Sequence, residues 1–362
     1  MQKDDCFMKI TLLTGLLFLC TLKLFAQDVT APNPDTGTDT NATHAGFVPV
    51  LTGGLGYVQN RNAGTTTLIP EINPVLLLPL GSHVLVESRA EFTGFFERRN
   101  GTGDFTGEVF KSVDYAQIDW LANTHAIVVA GKYLLPFGLY NERLNPLWIR
   151  NLQDQPLTAN IGSETTGAGV GGMLRGVVVQ TDNVSIQYSA YYSAHSSVNQ
   201  LGAARTTGFD SSAYFPKYRV EVGGSYQRFM EGQHSNNEAA YLSWQPKQIP
   251  LSLMAEYDRG FTGQGYWIEG DYMLSQIPEF NRFFRNLQFV ARADQSHPLH
   301  GGGNGVSNQN TKRPEFGLNY YIHDNLRLIS SYGRQFTASQ NSNQWNFGFT
   351  YRFMWPLWPG KK

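Results

Sequence analysis

The sequence predicts an all-β fold, a transmembrane antiparallel β-barrel of about 16 strands with a long third loop folded into its interior. Three observations carry this reading. Apolar and polar residues alternate with a period of two along most of the chain. Tight turns alternate with long connections. Of the 362 residues only 16% are charged, while 37 Gly, 23 Phe, 18 Tyr and 7 Trp fill the composition. Scarcity of the good helix formers Glu, Lys and Ala disfavours helices. Plentiful aromatics and a net charge of -1 disfavour disorder, and so small a charge supplies no basic field for nucleic acid. There is no internal run of 18 apolar residues, so helical spans are not expected.

Residues 1–26 read as a secretory signal. Met8 and Lys9 precede an apolar stretch over 10–22, and Leu24-Phe25-Ala26 offers a cleavage point. The stretch is too short to span a bilayer and Lys23 interrupts its end, although a retained anchor is the alternative. Cys20 follows Leu17-Phe18-Leu19, which lacks the small residues of a lipid-attachment site. Met8 is an alternative start. Cys6 and Cys20 both fall in the removed segment, so the mature chain is cysteine-free, which suits passage through an oxidising compartment. Residues 27–46, rich in Pro, Thr, Asp and Asn, form a flexible periplasmic leader. The barrel is expected over 47–362.

Strands follow in order. In the second segment Pro70 and Pro74 remove ladder donors, so that strand is expected to be bulged or short. Val84, Val86, Ala90 and Phe92 alternate with Glu87, Arg89 and Glu91. Val184, Ile186, Tyr188, Ala190 and Tyr192 repeat the pattern, as do Tyr218, Val220, Val222 and Tyr226 against Arg219 and Glu221. Leu251, Leu253, Ala255 and Tyr257 alternate with Glu256 and Asp258, and Leu287, Phe289, Ala291 and Ala293 with Arg292 and Asp294. Phe316, Leu318, Tyr320 and Ile322 share a face opposite Glu315 and Asn319. The last segment is the clearest: Trp345, Phe347, Phe349, Tyr351, Phe353 and Trp355 lie on one side, and a helix would scatter them around its circumference.

About fifteen such segments can be read, and a sixteenth near 201–214 is needed for short and long connections to alternate. Short ones are expected near 80–82, 122–124, 181–183, 245–249 and 323–325; long ones near 98–106, 135–165, 194–203, 295–312 and 336–343. Roughly 336 mature residues over 16 strands leave about 21 for each strand with its connection, and a spanning strand needs roughly 9 to 11. A soluble sandwich or propeller would use strands of about five or six residues, shorter than those read here.

If aromatics and aliphatics face lipid, the alternate residues line the lumen. They include Glu71, Glu87, Glu91, Asp119, Glu221, Glu256, Glu269, Asp271 and Glu315 against Arg89, Lys132, Arg175, Arg219, Arg292 and Arg352. The wall is mixed in charge, either a selective field across the pore or ion pairs lining a wet wall. The connection 135–164 is too apolar for a solvated loop, with Leu144, Leu147, Trp148, Ile149 and Leu152. It is expected to fold inward and narrow the passage. Arg143 and Arg150, with Glu142 and Asp154, are the candidate constriction charges; their alternative role is to pair with one another and hold the loop. Lys132, Arg89 and Arg175 are further selectivity candidates.

Gly131-Lys132-Tyr133-Leu134-Leu135-Pro136-Phe137-Gly138, followed by Arg143, resembles the strand-to-loop signature of the phosphate-selective porin O and P family. With the 16-strand layout and the aromatic last strand, the resemblance runs over most of the mature chain. It implies a trimeric channel in the outer membrane of a Gram-negative bacterium, with outer-membrane lipid, small hydrophilic solutes or ions, and the barrel-assembly machinery as partners. Anions such as phosphate are the family's cargo, selected by an arginine and lysine ladder. The wall here departs from that ladder, being at least as acidic as basic. The assembly machinery reads a C-terminal aromatic, a role that falls to Trp355 or Trp358.

Two motifs offer other chemistry. Gly167, Gly169 and Gly172 have dinucleotide-loop spacing, but more strand pattern follows instead of a helix. His297 and His300, near Asp294, lack a clear third and fourth ligand for a metal. No cofactor, metal site or catalytic residue is expected. A barrel enzyme, which would need a fixed Ser/His/Asp cluster at the rim, and a non-conducting scaffold or adhesin, which would need a filled lumen, are the alternatives to a channel.

Overall fold

The computed structural model describes residues 47–355 apart from 61–62, 100, 145–146, 160–166, 233, 275–282 and 303–306. The expected signal over 1–26 and leader over 27–46, with Cys6, Met8, Cys20 and Trp358, lie outside the described residues.

Sixteen antiparallel strands close into a barrel in sequence order, with β1 (Val48–Asn60) completing the circle against β16 (Asn341–Met354). Between them run β2 (Thr65–Leu80), β3 (Val84–Arg99), β4 (Thr106–Asn123), β5 (Ala126–Leu134), β6 (Ala168–Gln180), β7 (Ser185–Ala194), β8 (Thr206–Phe215), β9 (Val220–Phe229), β10 (Asn236–Trp244), β11 (Leu251–Arg259), β12 (Gly263–Met273), β13 (Leu287–Pro298), β14 (Thr311–His323) and β15 (Leu326–Phe336). The strand needed near 201–214 is β8. Closure leaves no sheet edge, the condition for a sheet to exist in hydrocarbon.

Period two holds where it was clearest. Trp345, Phe347 and Phe349 of β16 are exposed on the outside, while Asn346 and Thr350 of the alternate positions are buried inside. Phe289, Phe316, Leu318, Leu328, Ile268 and Tyr226 continue the outward apolar surface on neighbouring strands. Apolar surface facing out and polar surface facing in is the inverse of a soluble barrel, and places this one in an outer membrane.

Four expectations need correction. β2 is neither bulged nor short: it runs 16 residues and pairs continuously with β1. Its ladder to β3 skips Pro70 and Pro74, so their missing N–H groups fall on that side alone. Arg219 is not on the wall; it sits in the turn before β9 with φ of 51°. Connections 61–64, 260–262 and 337–340 are short on the side of the long loops, and 274–286 is long on the side of the turns. Nor do all aromatics face lipid. Tyr133, Tyr191, Tyr241 and Trp267 point inward and are buried.

Candidate functional site

The connection 135–167 is third on its side of the barrel, and its described residues run across the lumen to the far wall. Its route begins with Gly138, whose φ of 63° turns the chain. A β-carbon there would collide with the Glu256 carboxylate of β11. Gly138 N–H donates to Ser225 Oγ of β9 at 2.9 Å, and Leu139 N–H donates to Glu256. Leu139 then packs with Tyr241 and Trp267, and Leu135 with Val129, Tyr133, Met173 and Tyr191. The inward aromatics are therefore the apolar seat of the loop. Leu147 and Leu152 are buried as their apolarity requires, whereas Ile149 is 48% exposed.

Arginines of β13, β14 and β15 fasten the second half of the loop by its backbone. Arg292 donates to Asp154 O (3.0 Å), Arg313 to Gln155 O (2.5 Å), and Arg327 to Trp148 O (2.9 Å) and Arg150 O (2.5 Å). Carboxylates on the same wall offset this charge: Arg292 meets Glu315 at 2.6 Å and Arg313 meets Asp294 at 2.8 Å. The Trp148 ring receives the guanidinium groups of Arg327 and Arg352 at 5.7 and 5.3 Å. Small residues make room for the loop. A β-carbon on Gly56 would overlap the Gln153 side chain, and one on Gly317 would lie 2.5 Å from Leu152 Cδ2.

The candidate selectivity residues separate into groups. Glu142 and Arg143 sit on a short π-helical turn, Tyr140–Leu144, beside the β6 and β9 walls. Arg143 makes two 2.8 Å bonds to Glu221, and Arg175 reaches Asp119 at 2.5 Å and Glu142 at 3.4 Å. These three side chains are 39%, 32% and 36% exposed for Arg143, Arg175 and Glu142, so solvent reaches them inside the barrel. Partial loss of water raises the Glu142 carboxyl above the usual carboxylate range, against the pull of Arg175 and Arg143, although the side chain keeps solvent contact.

Arg150 lies apart. It lines a cavity of about 310 Å³ between the loop and the wall from β15 and β16 to β1–β3, with Glu71, Glu91 and Gln153. It donates to Tyr140 Oη (3.4 Å) and Gln153 O (3.3 Å). Asp154 also reaches this cavity, but its carboxylate is held by Gln344 (2.6 Å), Asn346 (3.1 Å) and Arg313 (3.6 Å). Lys132 donates to Gln200 O at 3.0 Å, and Arg89 pairs with Asp114 at 3.1 Å. The four residues expected at one constriction thus occupy two places, with Asp154 acting as an anchor.

Sequence reasoning missed Asp114, Arg313 and Arg327. Asp114 is the extra residue of a bulge in β4, where Arg89 faces Tyr115 and Ala90 faces Val113, so strict alternation cannot place it. Arg313 and Arg327 do obey period two, and lumen-facing parity was the signal that could have found them. His297 lies on β13 and His300 stacks on Phe261 at 4.3 Å. Gly169 and Gly172 lie within β6.

No protein-family model and no curated protein sequence matches the chain. Solved structures share its fold. They include Pseudomonas putida OprB at high pH, with a TM-score of 0.58 and 11% identity over 88% of this chain and 96% of that one. Salmonella typhi OmpF in complex with daunomycin gives 0.56 and 13% over 85% and 97%. The anion-selective porin from Comamonas acidovorans gives 0.51 and 9% over 85% and 98%. At these identities the likeness establishes the outer-membrane porin fold.

Proposed function

We propose that the protein is a passive channel of the outer membrane for small hydrophilic solutes or ions. One observation carries the reading. The second half of the loop is fastened to the wall at β13 to β16, while Glu142, Arg143 and Arg175, beside β6 and β9, remain partly open to solvent. A loop held in that way narrows an aqueous passage without filling it. The opposite charges of Arg175 and its two carboxylate partners set a transverse field of weak net sign, which suits polar solutes more than a single ion class. Insertion by the barrel-assembly machinery, three-fold assembly and the absence of catalysis belong to the same reading.

Transport of anions such as phosphate, as in the O and P family, is the second reading. What favours it is Arg150, which faces the 310 Å³ cavity and forms no ion pair within 4 Å among the described residues. Against it, Arg89, Arg143 and Arg175 each pair with a carboxylate, so they offer no free ladder.

Planar-bilayer recording of the refolded, signal-free protein in a salt gradient, with phosphate then added on one side, tests both. Stable steps with weak selectivity support the general channel. An anion-directed reversal potential with phosphate block supports the second reading. A folded barrel that gives no steps overturns both in favour of a scaffold or an enzyme.

A further inference from the structure

Arg89, Arg143, Arg175, Arg292 and Arg313 each meet a carboxylate within 4 Å. Arg150 of the loop meets none among the described residues, although Glu71 of β2 and Glu91 of β3 line the same cavity and their charges act on it. Opposite charges that share a cavity and stay apart must each be satisfied by whatever occupies it.

The cavity, about 310 Å³, is partly open. Its size is at the small end of small-molecule sites, which run from about 300 to 1,000 Å³. Its polar groups are incompletely used. Arg150 Nη1 donates to Tyr140 Oη (3.4 Å) and Gln153 O (3.3 Å). That leaves the edge formed by Nε and Nη2, which can hold a carboxylate by two parallel bonds. Arg150 Nε is buried and completes no hydrogen bond, and the same is true of Gln153 Oε1 and Nε2 and of Thr350 Oγ1. Thr350 is 1% exposed. Glu71 accepts from Asn73 Nδ2 (2.5 Å) through one oxygen, and Glu91 from Thr93 Oγ1 (2.7 Å) through one oxygen. The second oxygen of each has no donor among the described residues. Ile69, Leu147 and Ile329 add apolar lining.

We propose that this cavity binds a small zwitterion of the amino-acid class, its carboxylate on Arg150 and its ammonium group on Glu71 and Glu91. The charge balance selects this class. Asp154 is met by Arg313, so two acids stand against one free base. Phosphate would satisfy Arg150 but bring like charge beside two carboxylates. A simple cation would satisfy the carboxylates and leave the guanidinium edge empty. An ammonium group carries three donors, which Glu71, Glu91 and Gln153 Oε1 can accept. The apolar lining suits an aliphatic side chain. The inference concerns binding, and holds whether or not the barrel conducts.

The test uses the purified full chain in deuterated detergent, with free leucine as probe and saturation-transfer NMR as readout. Isocaproate keeps the carboxylate and alkyl chain of leucine, isoamylamine keeps the ammonium group and chain, and inorganic phosphate is the fourth probe. Leucine should bind saturably. The two halves and phosphate should each bind about tenfold more weakly, as loss of a charge-assisted contact entails. This series on the wild-type protein does not depend on any variant folding. Arg150→Gln and Glu71→Gln should each weaken leucine binding, and Glu71→Gln should narrow the gap between leucine and isocaproate, which general loosening of the loop would not do. Either half or phosphate binding as tightly as leucine overturns the site. So does a lack of saturable leucine binding to the folded barrel, which would leave the cavity to water. Bilayer steps without leucine binding overturn this site and leave the channel; leucine binding without steps supports the site and overturns the channel.

Discussion

Arg143 of the inward loop and Glu221 of β9 face each other as fork to fork, two parallel hydrogen bonds of 2.8 Å each. The pair joins the loop to the wall beside the solvent-reached stretch of the lumen, so its charge balance bears on any ion passing there.

Changing Arg143 to Ala leaves the Glu221 carboxylate unopposed. A cation passing about 8 Å from one uncompensated charge in water gains roughly 0.5 kcal/mol. The expected result is a cation-directed shift of reversal potential worth about a twofold change in permeability ratio. Arg143→Ala combined with Glu221→Gln should return the potential toward wild type. A shift that survives in the double variant would mean that Glu221 is not the group responsible.

The wall glycines make a second prediction. Valine at Gly317 meets Leu152, and valine at Gly56 meets Gln153, while both positions otherwise suit a strand. Overpacking of this kind costs about 1–3 kcal/mol and is relieved most easily by lifting the loop off the wall. Single-channel conductance should fall in Gly317→Val and Gly56→Val, because the loop is pushed from the wall toward the open passage. Gly172→Val is the control, because the nearest atom to its new β-carbon is 3.8 Å away. Unchanged conductance in the first two would place the permeation path away from the loop.

Glu142 predicts a pH response. Its carboxyl is raised by partial loss of water, so it takes up a proton at a higher pH than an ordinary glutamate as the solution is acidified. Protonation removes one negative charge beside Arg175 and Arg143. Selectivity should therefore move toward anions as pH falls, beginning above the normal carboxylate range. Glu142→Gln should show the anion-shifted potential already at neutral pH and lack the first phase of the response. A first phase identical in both proteins would assign it to another carboxylate.

How far the sequence reveals these features depends on the range of the interactions behind them. The outward stripe from Trp345 to Phe353 is legible because side-chain direction in a strand is a local property with a fixed period. The inward loop is legible from Leu147 and Leu152, which have no place in water. Its seat is not. Arg327 meets the carbonyl of Trp148 across 179 positions of sequence, and no local pattern announces such a contact. The separation of Arg150 from Arg143 follows from that same docking. Asp114 was hidden differently, by a bulge that shifts the parity of β4.

Trp267 gives the sharpest contrast between the lipid-facing rule and the fold. By residue type it belongs with Trp345 on the outside, but it is fully buried inside, packed with Tyr241 and with Leu139 of the loop. Truncating a buried Trp to Ala leaves a cavity and costs about 3–5 kcal/mol. The same change at Trp345, which is 36% exposed on the outer face, removes contacts with lipid and with Tyr332 and leaves no void in the protein interior. Urea unfolding in vesicles should therefore show Trp267→Ala as much the less stable of the two. Because Leu139 loses its support, Trp267→Ala should also make the loop susceptible to protease while the barrel is intact, which Trp345→Ala should not. Equal losses of stability with no difference in cleavage would mean that Trp267 faces lipid after all, and that the loop has its seat elsewhere.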